Sequence, residues 1–232
     1  MGDKKIENKT INVKIIYVFL HEPKTAGTAV VSALSSSLTN NQRILLYPDS
    51  GASRGPRTRM FPQSANFSSA QIHKYLLSLS LEQKSKIRLV AGHFAYYGIH
   101  DYFPNQNIKY IYILRDPFLK QVSLYNAALT QFYKYQILNP GLSKEYITNN
   151  KHVDGFKYWV KYRGNSSPIK SFLLEDNVRG IRKLDRIDYL IDYSNLKEDL
   201  LSVCKDLKGD FNIPIINSTD KNAENFRFDR LK

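Results

Sequence analysis

Ile15-Ile16-Tyr17-Val18-Phe19-Leu20-His21-Glu22-Pro23-Lys24-Thr25-Ala26-Gly27-Thr28 is the stretch whose reading decides the fold. It opens as a short apolar run rich in β-branched and aromatic residues, the pattern of a buried strand. It breaks at Pro23 and then carries a lysine, two threonines and a glycine within five residues. In the residues that follow, Val30, Leu34 and Leu38 recur every fourth position, which predicts a helix with one apolar face. A strand, a tight loop and a helix together make an anion site, because the first amides of the helix lack internal partners and the helix dipole adds positive potential there. Gly27 allows backbone to come close to a ligand, Lys24 adds a full charge, and Thr25 and Thr28 add hydroxyls. The expected ligand is a phosphate or a sulfate. An ordinary strand-to-helix turn with a solvated lysine fits the same letters. A Walker loop does not, because its lysine follows the second glycine of a longer loop.

Working outward, Arg43 to Tyr47 reads as a second strand. Residues 48–67 read as a long loop, a kind more often functional or mobile than idle. It holds Arg54, Arg57 and Arg59, either a grip on an acidic acceptor or a solvated basic surface. Ser68 to Leu79 is predicted helical, with Ser68 and Gln71 as a capping box and Ile72, Leu76 and Leu79 as the apolar stripe. A further short turn is expected at Ser80 to Gln83. Arg88 to Gly92 is a third strand leading into His93, and Lys109 to Leu114 a fourth leading into Arg115-Asp116-Pro117. Asp as N-cap and Pro at the first helical position start a helix there, with Phe118, Val122, Tyr125 and Leu129 on its apolar face. Residues 131–165 are aromatic and basic and are expected to hold helices and loops. Ile187 to Tyr193 is a late strand, after which Ser194 is expected to cap a helix over Leu196, Leu200, Val203 and Leu207.

Alternating strands and helices imply an α/β fold of three layers, with a mostly parallel sheet between helices. Residues 1–13 read as a flexible arm and 14–232 as one domain, a fitting size at 232 residues. Ligands of such sheets sit at the carboxyl ends of the strands. That gathers Lys24 to Thr28, His93 and Arg115 at one edge. Ser123, about two helical turns beyond Asp116, projects from the side of the helix start. Arg115 and Ser123 together would grip a second phosphate, since arginine offers forked donors suited to phosphate oxygens. An Arg115–Asp116 surface pair is the plainer reading.

Lys and Arg number 34 against 21 Asp and Glu, a net charge of +13 that favours anionic partners or serves solubility. Cys204 is alone, so no internal disulfide forms. The polar start of the chain is no signal peptide, and no apolar run approaches the ~20 residues that span a bilayer. The expectation is a cytoplasmic protein. No metal motif appears: there are no paired cysteines and no His-Glu-x-x-His.

Three of these motifs carry a resemblance. Leu20-His21-Glu22-Pro23-Lys24-Thr25-Ala26-Gly27-Thr28 resembles the 5′-phosphosulfate loop of sulfotransferases that use 3′-phosphoadenosine 5′-phosphosulfate (PAPS). Leu114-Arg115-Asp116-Pro117, with Ser123-Leu124-Tyr125, resembles that family's 3′-phosphate motif. Gly92-His93-Phe94 resembles the Gly-His segment of the carbohydrate branch, which includes the uronosyl 2-O-sulfotransferases. Pro214 and Asn217 to Lys221 are a weaker echo of its C-terminal cofactor loop.

The resemblance implies PAPS as donor, adenosine 3′,5′-bisphosphate as product and a P-loop-like sulfotransferase fold. It implies that Lys24, Thr25, Ala26, Gly27, Thr28 and Ala29 surround the 5′-phosphosulfate. Lys24 would also neutralise the leaving oxygen. Arg115 and Ser123 would hold the 3′-phosphate, and His93 would be the general base. The acceptor it implies is a hydroxyl, on a glycan or another polar or anionic molecule, with Tyr96 and Tyr97 as further candidates for touching it. The chemistry needs no metal. Three residues depart from the pattern: Glu22 stands at a usually apolar position, Ala26 at a common glycine and Ala29 at a common hydroxyl. Glu22 would repel the donor unless it turns away or pairs with a base. The competing reading is a basic nucleotide- or nucleic-acid-binding module without catalysis, motivated by the charge. No known nucleic-acid motif supports it. A P-loop kinase is disfavoured by the lysine's place and the lack of an evident Mg²⁺ carboxylate.

Overall fold

A computed structural model describes residues 14–48, 65–67, 69–138, 177–178, 181–182 and 186–208. Strands β1 (Ile15–Leu20), β2 (Arg43–Pro48), β3 (Ala65–Phe67), β4 (Leu89–Gly92), β5 (Asn107–Leu114) and β8 (Tyr189–Asp192) form one sheet in the order β3-β2-β4-β1-β5-β8. Every neighbouring pair in it is parallel. The helices are α1 (Gly27–Ser35), α2 (Ser69–Ser78), α3 (Leu81–Lys86), α4 (Pro117–Leu138) and α5 (Leu196–Leu207). The expected α/β architecture, with a parallel sheet and flanking helices, is the observed one.

The strand period of two sorts β1 between two cores. Tyr17 and Phe19 join Val30, Val31 and Leu34 of α1 and Leu200, Val203 and Leu207 of α5. Ile16, Val18 and Leu20 face the other way, onto Ile72 and Leu76 of α2 and onto Ile99 and Phe103. A strand covered on both faces needs an unbroken apolar run, and β1 supplies one. Cys204 is buried in the α1–α5 layer. The Ser37 hydroxyl ties the two helices by donating to the Leu207 carbonyl at 2.7 Å.

Two expectations are corrected and one element is added. Residues 65–67, read as the end of a loop, form the edge strand β3. Asn177–Val178 and Ile181–Arg182 form a small antiparallel pair, β6 and β7, which sequence reasoning missed. Ser194 does not cap α5: the Asp192 carboxylate accepts from the Ser194 amide at 2.7 Å and starts a short 3-10 turn over Tyr193–Asn195, and Asn195 is the N-cap. The expected turn at Ser80 is α3, with a full capping box between Ser80 and Gln83. Asp116 caps α4 as expected, its carboxylate accepting from the Leu119 amide at 2.7 Å. No helix among the described residues is long and apolar enough to cross a membrane.

Candidate active site

The chain leaves β1 at Leu20 and turns through Glu22 to Ala26 before α1 begins. Two L-residues in this turn take left-handed backbone, Lys24 at φ 67° and Ala26 at φ 57°. The buried Thr25 hydroxyl donates to the Glu22 carbonyl at 2.9 Å and so helps close the turn. Ala26 offers no side-chain cap to α1, whose first turn carries no acidic residue. The opening amides of α1 therefore keep the positive potential expected of a helix start.

Glu22 resolves as one of the two cases the sequence allowed: it pairs with a base. Its carboxylate ion-pairs with Lys120 of α4, a lysine only 1% exposed. The Tyr112 phenol also hydrogen-bonds Glu22. Burial, and then the Glu22 charge and that hydrogen bond, push the Tyr112 phenol well above the usual tyrosine range. The acidic charge in the loop is thus consumed by a buried pair.

Arg115, just past the end of β5, reaches the same loop. Its Nη1 donates to the Lys24 carbonyl at 2.5 Å. Its guanidinium lies 4.3 Å from the centre of the Tyr193 ring, an attractive cation–π distance. Its Nε is buried with no hydrogen-bond partner. An orphaned donor of this kind is costly and fits a site built for an anion. Ser123 sits half-buried on α4.

His93 follows β4. There Gly92 takes φ 134°, and a Cβ on it would fall 2.0 Å from the Leu46 carbonyl oxygen, so only glycine fits. The Phe94 amide donates to that same carbonyl at 3.2 Å. His93 Nδ1 meets the His21 carbonyl at 3.1 Å. A carbonyl can only accept, so Nδ1 carries the proton and a neutral ring has its lone pair on Nε2. The loop between His21 and Lys24 is therefore joined to His93 at one end and to Arg115 at the other.

His93 also lines a cleft of about 340 Å³, together with Ile72 and His73 of α2 and Phe94, Ala95 and Tyr96. Two of these residues are joined through a third: the Tyr96 hydroxyl donates to that of Tyr102 at 2.9 Å, and Tyr102 meets His73 Nδ1 at 2.6 Å. Tyr96 lines the cleft beside His93. Tyr97 does not line the cleft; its ring packs 4.8 Å from that of Tyr110, and Arg186 donates to its hydroxyl at 3.2 Å. Arg54, Arg57, Arg59 and the Pro214 to Lys221 segment lie outside the described residues.

Sequence reasoning missed His21 and Tyr47. The register pairs Phe19 and Leu45 with Ala91; two residues on, His21 and Tyr47 flank His93. Their rings lie 4.1 Å and 5.4 Å from the His93 ring. The signal was the shared strand parity, legible only once the strand order is known. A search of curated proteins and of solved structures yields no significant match. A family model described as the sulfotransferase domain matches residues 17–232, and the chain accordingly belongs to the sulfotransferase family, which carries out sulfuryl transfer.

Proposed function

We propose that this sulfotransferase uses PAPS to sulfate a hydroxyl, on a carbohydrate, by in-line displacement with His93 as base. The observation that carries this reading is the single loop tied to both His93 and Arg115, through the His21 and Lys24 carbonyls. The residues present fit such a donor: an uncapped helix start, a neutralised Glu22 and an arginine Nε awaiting an acceptor. When bound, PAPS supplies the sulfuryl group and a stable leaving group.

The chain's residues do the rest. The amides opening α1 and the Lys24 ammonium hold the phosphosulfate and offset charge gathering on the oxygen between phosphorus and sulfur. Thr28 adds a hydroxyl, whereas Thr25 gives its proton to the loop. Arg115, with Ser123, holds the 3′-phosphate. His93 takes the acceptor's proton at Nε2 as the acceptor oxygen bonds to sulfur. The cleft beside His93, with its aromatic walls and hydroxyls, receives a sugar ring that carries apolar and polar faces. This is the reading closest to the uronosyl and other carbohydrate branches.

Calorimetry with adenosine 3′,5′-bisphosphate tests the donor assignment. The wild type binds, and Arg115→Ala weakens binding by a factor of order 10² or more, as loss of a charge-assisted pair does. Absence of binding to the wild type ends the reading. A panel of carbohydrate and phenolic acceptors with radiolabelled PAPS then identifies the acceptor, and transfer to phenols alone removes the carbohydrate assignment.

A further inference from the structure

The imidazole of His21 is the side chain that the mechanism above leaves unused. It is only 6% exposed and lies among four groups. On one side it stacks on Phe19, with ring centres 5.6 Å apart and planes 13° apart. On another it meets His93 at 4.1 Å and 32°. Its Nδ1 is 3.4 Å from the Tyr47 hydroxyl, at the long edge of a hydrogen bond. Its far edge presses on the first residue of α1: a Cβ at Gly27 would fall 1.8 Å from Cδ2 and 1.9 Å from Nε2. Gly27 is thus required by His21 as well as by any ligand. Because His21 is buried and flanked by rings, it has little room to yield to a methyl group there.

Resting on the assignment of His93 as base, we propose that His21 is the positioning residue for it. The His21 carbonyl fixes which nitrogen of His93 bears the proton. The His21 ring, wedged between Gly27 and His93, fixes the plane in which the other nitrogen points. The side chain that rests on the first residue of α1 thus sets the orientation of the base. The ring acts by shape and carries no proton in the reaction.

The test uses the full chain labelled with ¹⁵N-histidine. His93 resonances are assigned with His93→Gln among the five histidines. In the wild type, His93 shows the Nδ1–H tautomer. His21→Phe keeps a flat ring of similar outline and retains that tautomer. His21→Ala keeps the carbonyl but removes the ring that holds His93 against it, so His93 turns off the carbonyl and its two tautomers average, and Gly27→Ala, which displaces the ring from the other side, does the same. Turnover of PAPS to adenosine 3′,5′-bisphosphate falls in kcat by about 10- to 100-fold in His21→Ala, as small misplacements of reacting groups do. In His21→Phe it stays near the wild-type rate, and the bisphosphate dissociation constant stays within about threefold for both His21 variants. Loss of activity in His21→Phe equal to that in His21→Ala overturns the proposal. So does a wild-type His93 tautomer in both His21→Ala and Gly27→Ala. If His21→Ala does not fold, Gly27→Ala and His21→Phe decide alone. A wild type that leaves PAPS untouched refutes the proposed function, while the tautomer comparison still decides what His21 does.

Discussion

The two sides of His93 are built by different means. On the side of the proposed donor, the loop from His21 to Ala26 is held by bonds to backbone carbonyls, one of them from a threonine hydroxyl, and by a buried Glu22–Lys120 pair. On the side of the proposed acceptor, the cleft wall is made of side chains, among them the ring of His73 and that of Tyr96, which is 40% exposed and whose hydroxyl donates to that of Tyr102. Three of the four ties on the loop end on a backbone carbonyl, which stays in place when the loop residue bearing it is substituted, whereas both ends of each contact in the cleft wall are side chains.

Breaking the donor side has the largest expected effect. Glu22→Ala leaves the Lys120 ammonium buried and uncompensated, which costs about 3–5 kcal/mol. Urea unfolding measures it, and the double variant Glu22→Leu with Lys120→Met recovers most of the loss. A single variant as stable as the wild type contradicts a buried pair. Gly92→Ala comes next, since it places a methyl against the Leu46 carbonyl at a left-handed φ. It lowers stability by about 2–3 kcal/mol and uncouples His93 from the sheet. Tyr102→Phe removes a hydroxyl that serves two partners on the acceptor wall, and it costs about 1 kcal/mol. Its larger consequence is on acceptor KM, with the affinity for adenosine 3′,5′-bisphosphate unchanged. A change in that affinity erases the distinction between the two sides.

The smallest effect near neutrality comes from pH. Tyr112 on the donor side and Tyr96 on the acceptor side both have phenols raised above the usual range, chiefly by burial. A raised folded pKa means that the folded state keeps protons the unfolded chain has lost. The stabilisation is therefore full below about pH 10 and is lost as pH climbs through the folded values. Spectrophotometric titration shows both phenols ionising late. Glu22→Gln brings the Tyr112 transition down and leaves that of Tyr96 in place.

Much of this was legible in the sequence, because the donor side is local. Strand, loop and helix follow one another within twenty residues, and Asp116-Pro117 announces α4 in the same way. What was hidden lies between distant segments. Glu22 finds Lys120 98 positions away, so the sequence could pose the charge problem but not solve it. Tyr47 and His21 reach His93 only through the strand order β2-β4-β1, which hydrophobic pattern alone does not give. Ala65-Asn66-Phe67 is too short to display a period of two, and pairing with β2 makes it a strand. Ser194 looked like a cap because hydroxyl residues favour that position. The carboxylate of Asp192, two residues earlier, instead accepts from the Ser194 hydroxyl at 2.5 Å and caps the 3-10 turn, which leaves Asn195 at the N-cap of α5.

Lys24 and Ala26 lie on the wrong side of φ for L-residues, at a cost of about 1–2 kcal/mol each. The segment between β1 and α1 is therefore spring-loaded, kept shut by Arg115 gripping the Lys24 carbonyl and by Thr25 gripping that of Glu22. Releasing a latch lets this segment relax while the sheet beneath stays folded. In Arg115→Ala, the Val30 amide, which donates to the Ala26 carbonyl at 3.1 Å, exchanges with deuterium faster than in the wild type while the amides of β1 keep their protection, so that catalytic competence and global melting become separate events.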